Sequence, residues 1–572
     1  MTLHHRVAGD ARKPVSTILN LGVALLFAGA LCLTAHASVS ARPTPAAPPT
    51  LRLDYYSLVG AQGTLALSLD PAHITSPSDY ELSSLLVNAN LVHILPDDTV
   101  KPDLATFTIS KNHLTYTFTI RSNARFSNGH TVTAADAAFS LERALSPSTQ
   151  SEIADQYDNL IVGADDYYHG RTHSIPGLKV LSRRVLQITI TKPVAYFLDT
   201  LSYSSADVLD PSVVRGKEAG PKGNYLTTTC AGNQGAGPFK FVCHDSTSTV
   251  HSFYSGNSPK YTLVPNPYYY GPKPHLRIEL RATSASDSGY RAYLAGKLDT
   301  AGILSVYLEH WKGNKELHRY PSSHIVYLTP NTHMAPFDNV HCRLAVAYAI
   351  DRKTIAENVL HGTVRATYTV VPKGMLGYYS GADNPHYSLT RAHAELARCP
   401  GRTIPFALKY GDFGPDQVNQ ATAVATMLSQ VGLNVKLTRL TPDAWGQTVG
   451  HSLDATHTQL IFNEWVQDYP DPQDYCTLLL RSGSPDAVGG WHNAAYDRLV
   501  DRADVTLNSK KRAALYIQAQ HIAISQGAFL TLYNELRSKL IKPYVHGLVT
   551  SEAYQDTLAK DLDWSKVSIS KH

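Results

Sequence analysis

The sequence predicts an α/β protein of two lobes with a ligand crevice between them, and three observations carry that prediction. Leu114, Tyr116, Phe118 and Ile120 alternate with three threonines, the period-two pattern of a strand with one buried face. Residues 404–437 read as strand, helix, strand, and a β-α-β unit implies a parallel sheet. The chain runs to 572 residues, room for about three to five domain-sized units, and long mixed chains of this kind commonly bind ligands between lobes.

The elements follow in chain order. Residues 1–14 carry His4, His5, Arg6, Arg12 and Lys13 against Asp10 alone; residues 18–33 form a nearly unbroken apolar run; Ala35 and Ala37 stand three positions and one position before Ser38. Charged head, apolar middle and small-residue exit make residues 1–37 a secretory signal peptide cut after Ala37. An uncleaved anchor is the alternative, although the run falls short of the about 20 residues of a spanning helix. Lipidation at Cys32 is a third reading, poorly served by Leu31 in front of it. Residues 38–50 include RPTPAAPPT, a Pro-rich stretch that cannot pack a core. It reads as a spacer holding a domain near a membrane, or as a disordered mature terminus.

After the 114–120 strand, residues 133–143 are expected to be a helix, with Thr133 as N-cap and Asp136 at the capping-box position. Leu186, Ile188 and Ile190 repeat the strand alternation. In the β-α-β unit, 404–410 is the first strand. Pro415 opens a helix with Val418, Ala421, Ala425, Leu428 and Val431 on one face, Gly432 ends it, and Leu433, Val435 and Leu437 start the second strand. Helices are expected at 494–503 and 510–526. Asp351 reads as the start of a helix over 352–360, and Arg343 as structural.

Charge is nearly balanced, with 51 Lys+Arg against 47 Asp+Glu, and no block of five or six like charges occurs. A nucleic-acid partner is therefore not expected. Of six cysteines, Cys230 and Cys243 flank a Gly-rich turn and are expected to pair across it. Cys399 with Cys476 is a weaker pairing, and Cys342 is expected to stay free. No CxxC, GxSxG or HExxH motif is present. Gly296-Lys297 lacks the Ser or Thr and the first Gly of a phosphate loop, and Gly232, Gly235 and Gly237 are in the wrong order for a dinucleotide fingerprint. The stretch DDYYHGRTH around His169 and His173 matches no closed metal site and reads as an exposed loop.

Five blocks in order then resemble one family. They are Lys101-Pro102-Asp103-Leu104-Ala105 with Phe126-Ser127-Asn128-Gly129 and Val132-Thr133-Ala134-Ala135-Asp136; Gly237-Pro238-Phe239-Lys240 with Asn266-Pro267-Tyr268-Tyr269-Tyr270-Gly271; Leu294-Ala295-Gly296-Lys297-Leu298-Asp299; Pro336-Phe337-Asp338-Asn339-Val340 with Ala349-Ile350-Asp351-Arg352; and Trp465-Val466-Gln467-Asp468-Tyr469-Pro470-Asp471-Pro472. Pro543, Val545 and Gly547 match a closing motif. Across about residues 60–550 the chain resembles the extracytoplasmic solute-binding proteins of the peptide/nickel class. Asn128 stands where the family usually has Asp, and serves the same turn.

The resemblance implies a two-lobed periplasmic-binding-protein-like α/β fold that closes by a hinge, with an extra subdomain inserted in the first lobe. The first lobe would take 51–78, 180–283 and 541–572, the inserted subdomain 79–179, and the second lobe 284–540. It implies an exported receptor, in the periplasm or on the outer face of the cytoplasmic membrane, that binds short peptides and delivers them to the permease subunits of an ABC importer. It would act as a monomer with a membrane tether through its N-terminus, without cofactor, metal or catalytic residues. By motif position Asp468 would bind the ligand's amino terminus, since a charge-assisted hydrogen bond is roughly twice as strong as a neutral one; its other reading is a cap for the following turn. Trp465 would wall the ligand or simply pack the core, with Tyr469 and Trp491 as pocket neighbours. A non-peptide ligand (nickel chelate, haem, sugar or opine), a peptide sensor without transport and a secreted hydrolase are the alternatives.

Overall fold

The computed structural model describes residues 48–56, 69–74, 81–95, 97–151, 153–215, 234–242, 260–283, 286–548 and 562–571. The expected signal peptide, Cys32, residues 38–47 of the spacer and the expected Cys230–Cys243 pair fall outside those residues. Among the described residues no helix is long and apolar enough to cross a membrane.

Three sheets organise the chain. In the first, Thr50–Tyr56 runs parallel to Arg277–Thr283, followed by antiparallel Lys260–Pro265 and Phe239–Phe241. Its first strand takes the last residue of the expected spacer, because Leu51 and Leu53 alternate onto a buried face with Ile278, Leu280 and Trp564. The motif residues have visible work here. The Asn266 side chain donates to Gly237 O at 2.9 Å, and a Cβ on Gly237 would lie 2.6 Å from Asn88 O, so only glycine fits.

The second sheet is antiparallel, in the order Ala105–Ile109, Thr115–Ile120, Val185–Thr189, Leu178–Ser182. Tyr116, Phe118 and Ile120 are buried and their threonine neighbours half-buried, the alternation the sequence predicts. The sheet continues past the expected subdomain limit at 179 to Thr189, since Val185–Thr189 bonds to Thr115–Ile120 and carries Leu178–Ser182 on its other edge. Helix Ala134–Ala144 covers it. Thr133 caps Asp136 N, and Asp136 Oδ2 accepts Thr133 N at 2.8 Å, a complete capping box made with Asp. Asn128 Oδ1 accepts His130 N at 3.0 Å, the turn expected of it.

The third sheet has seven strands. Its path is Thr300–Gly302, Leu530–Ile541, Leu317–Pro330, Leu460–Trp465, Phe406–Gly411 and Val435–Leu440, with Val364–Ala366 also paired to Leu530–Ile541. Phe406–Gly411 is parallel to both its neighbours, and helix Pro415–Gln430 links it to Val435–Leu440. The predicted face holds Ala421, Leu428 and Val431 buried with Val418 and Ala425 partly so, and Val424 joins them. Gly432 follows the helix at φ +94°. Helices Ala494–Asp504 and Ser509–Ser525 lie where expected. Asp351 caps Lys353 N and Thr354 N, but only Arg352–Thr354 is α-helical before a wider π turn, Ile355–Val359. Arg343 is structural, its guanidinium bonded to Phe337 O and Gln526 O.

Asp299 ties the first sheet to the third. Its carboxylate accepts Arg52 N at 2.6 Å, the Arg52 guanidinium at 2.6 Å and Tyr544 Oη at 2.8 Å. Gly296, at φ +69°, makes the turn before it, so the apparent phosphate loop is a turn into this knot.

The cysteine expectations need correction. Cys342 is not free: it bonds Cys399, with Cα atoms 4.9 Å apart. Helix Val340–Ala349 packs against helix Leu389–Ala397 and its end, which brings the two sulfurs together inside one core. Cys476 is free and buried in a different core cluster, beyond reach of Cys399.

Candidate functional site

Strand Leu460–Trp465 delivers the chain to the loop 466–472, and helix Gln473–Leu480 takes it away. Pro470 and Pro472 interrupt regular structure between them. Asp471 starts the helix: its Oδ1 accepts Gln473 N at 2.9 Å, and its two oxygens bind Arg512 Nη1 and Nη2 at 2.5 and 2.6 Å. Arg512 lies over the Tyr196 ring, 5.6 Å from its centre, and Tyr196 stacks parallel to Tyr469 at 6.2 Å. Asp471 thus caps the start of helix Gln473–Leu480.

Asp468 is half-buried, and its Oδ2 accepts Gln156 Nε2 at 2.8 Å across 312 residues of sequence. Behind it stands Asp474, fully buried. One oxygen, Oδ2, accepts both Trp465 Nε1 at 2.9 Å and Asp468 N at 3.3 Å, while Oδ1 has no hydrogen-bond partner. Burial first, and then the charge of Asp468, hold the Asp474 carboxyl well above the usual carboxylate range. Asp468 in the loop and Asp474 in the first helical turn behind it thus bring two acidic side chains close together.

A second charged group lies one residue from the rung that pairs Ile325 with Trp465. His324 is buried between Glu464, 3.4 Å from Nε2, and Glu535, 3.1 Å from Nδ1. Burial alone would depress the imidazole, but Glu535 and Glu464 outweigh it and raise it to about 10.

Trp465, Asp468 and Tyr469 thus share one loop. Trp465 is half-buried, one face against the core cluster of Tyr475 and Tyr496. Tyr469 is 1% exposed and reaches into the core of the second sheet, its hydroxyl bonded to Gln473 Oε1. Trp491 shares the core cluster of Tyr475 and Tyr496: 8% exposed, it meets Tyr496 edge-on, donates to Gln526 Oε1 at 3.2 Å and lines a small cavity with Tyr327 and Asn463. Sequence reasoning missed Asp474 and Gln156. Asp474 reads as an ordinary first-turn acid, and Gln156 has no local signal because its partner is far along the chain.

Comparison with known proteins places the chain in a family. The profile of the bacterial extracellular solute-binding proteins, family 5 Middle, matches residues 99–486. The probable D,D-dipeptide-binding periplasmic protein DdpA of Escherichia coli is 26% identical over 458 residues, 79% of this chain and 82% of that protein. The murein tripeptide binding protein MppA of Escherichia coli superposes with a TM-score of 0.75 at 22% identity, over 92% of this chain and 99% of that one. Haemophilus influenzae OppA in complex with RPPGFSPFR gives 0.74 at 21% identity, over 92% and 99%. The two solved structures share the fold, and the profile spans well over half of this sequence. The chain belongs to the bacterial extracellular solute-binding proteins, family 5, and is an exported binding protein rather than an enzyme.

Proposed function

We propose that the protein captures short peptides between two lobes, with Asp468 taking the ligand's ammonium, and delivers them to the permease subunits of an ABC importer. The observation that carries this is the division of labour in the loop. Asp471 caps and pairs with Arg512, Asp474 holds the backbone, and Asp468 turns its carboxylate to a residue from a distant part of the chain. The names of the similar proteins support peptides as the ligand: a D,D-dipeptide, a murein tripeptide and the nonapeptide RPPGFSPFR.

In this reading 51–78, 190–283 and 541–572 form the first lobe and 284–540 the second. Strands Leu178–Ser182 and Val185–Thr189 go with the inserted subdomain, extending it from 79–179 to 79–189. Trp465 walls the ligand, Tyr469 backs the loop, and Trp491 supports it from behind without touching ligand. One chain supplies every group, so a monomer suffices, and the Pro-rich residues 38–50 suit a tether from the N-terminus.

Calorimetric titration of protein freed of resident ligand by unfolding and refolding tests this. Free short peptides are expected to bind, and N-acetylated ones more weakly by about 2–5 kcal/mol, the cost of stranding one charge of a buried pair. Equal affinity for both removes Asp468 from the role. Silence with both, from protein with a native unfolding transition, points to a non-peptide solute.

A further inference from the structure

Gln156 sits in the single helical turn Asp155–Asp158 and is 7% exposed. Its amide is only half used. Nε2 donates to Asp468 Oδ2, while Oε1 is buried with no hydrogen-bond partner. Turning the amide over would not repair this, because it would set an oxygen without a proton against an ionised carboxylate. Asp474 Oδ1, in the first turn of the helix behind Asp468, is also buried without a hydrogen-bond partner. Buried acceptors without donors cost free energy, and Gln156 Oε1 and Asp474 Oδ1 are two of them beside Asp468. A primary ammonium brings positive charge and three N–H donors.

We propose that Gln156 is a second ligand contact, accepting one ammonium N–H through Oε1 while Nε2 remains on Asp468. This rests on the reading of Asp468 as the ammonium's partner and deepens it. The ligand's amine then bridges the turn at Gln156 and the loop at Asp468, which lie 312 residues apart. The site counts N–H groups as well as charge. A primary or monomethyl ammonium has at least two donors and satisfies both acceptors. A dimethyl ammonium keeps its charge but has one donor, and leaves Gln156 Oε1 unpaired.

The test is a titration of one short peptide in four N-terminal forms: free, monomethylated, dimethylated and acetylated. Wild type is expected to lose about tenfold or more in affinity between the monomethyl and dimethyl forms, the worth of a hydrogen bond to a charged group. Gln156→Leu, similar in bulk, is expected to weaken the free peptide by about tenfold and to shrink that methylation step to a small factor. If the Leu variant fails to fold, wild type alone decides, because equal affinity for the monomethyl and dimethyl forms overturns the proposal. If Gln156→Leu keeps wild-type affinity and the full methylation step, Gln156 is not a ligand contact and Asp468 stands alone. If wild type binds the acetylated and free forms equally, both readings fall.

Discussion

The backbone N–H of Asp468 donates to Asp474 Oδ2 at 3.3 Å, so the residue that would meet the ligand is held in place by a second, fully buried carboxylate. That arrangement has a stability cost. Burial and the Asp468 charge raise Asp474 above its ordinary 3.8, so ionising it in the folded protein is unfavourable. Stability is lost as pH rises from that ordinary value through the raised one. Asp474→Asn retains an oxygen for Trp465 Nε1 and Asp468 N and removes the charge. It is expected to be more stable than wild type at pH 7, because it removes the charge that burial and Asp468 disfavour. The two should converge near the carboxylate's ordinary pKa. Thermal unfolding across pH reads this, and parallel curves for the two proteins would count against it.

His324 titrates in the opposite sense. Its folded value is raised from 6.5 to about 10 by Glu535 and Glu464 against the effect of burial. Its contribution is complete below about 6.5 and is lost as pH climbs through about 10. His324→Gln is expected to cost roughly 1.5–3 kcal/mol near pH 6, below the about 3–5 kcal/mol of breaking a fully buried ion pair because Glu464 and Glu535 are part-exposed. That deficit should narrow toward pH 10. A deficit that stays constant over the range would show that the imidazole is not charged.

The Cys342–Cys399 bond closes a loop of 57 residues inside one core. In the chain-entropy account such a cross-link is worth about 4 kcal/mol. Replacing both cysteines by alanine should lower the urea midpoint of the transition that contains helices Val340–Ala349 and Leu389–Ala397. An unchanged midpoint would mean that the packed helices hold without it.

Arg512 and Asp471 are both buried, and Arg512 also faces Tyr196 and Tyr516. Arg512→Ala strands the Asp471 charge and is expected to cost about 3–5 kcal/mol. Because Asp471 begins the helix after the binding loop, peptide affinity should fall with stability. Full peptide affinity in a destabilised Arg512→Ala protein would show that the loop keeps its shape without the pair.

What the sequence by itself determined is local. The Thr-interleaved strand at Thr115–Ile120, the Thr133–Asp136 capping box, the Asp351 cap and the β-α-β unit ending at Gly432 all follow from side-chain period and turn chemistry within a few residues. The motif at 465–472 likewise marked the loop that the structure builds around Asp468. What only the tertiary structure decided depends on surfaces that meet across long stretches of chain. It joined Cys342 to Cys399 and left Cys476 in another core. It placed the cap of helix Gln473–Leu480 at Asp471 and brought Gln156 to Asp468 over 312 residues. No local pattern encodes those meetings, because each is the outcome of which faces bury together, and a cysteine, a carboxylate or an amide looks the same in sequence whichever partner the fold supplies.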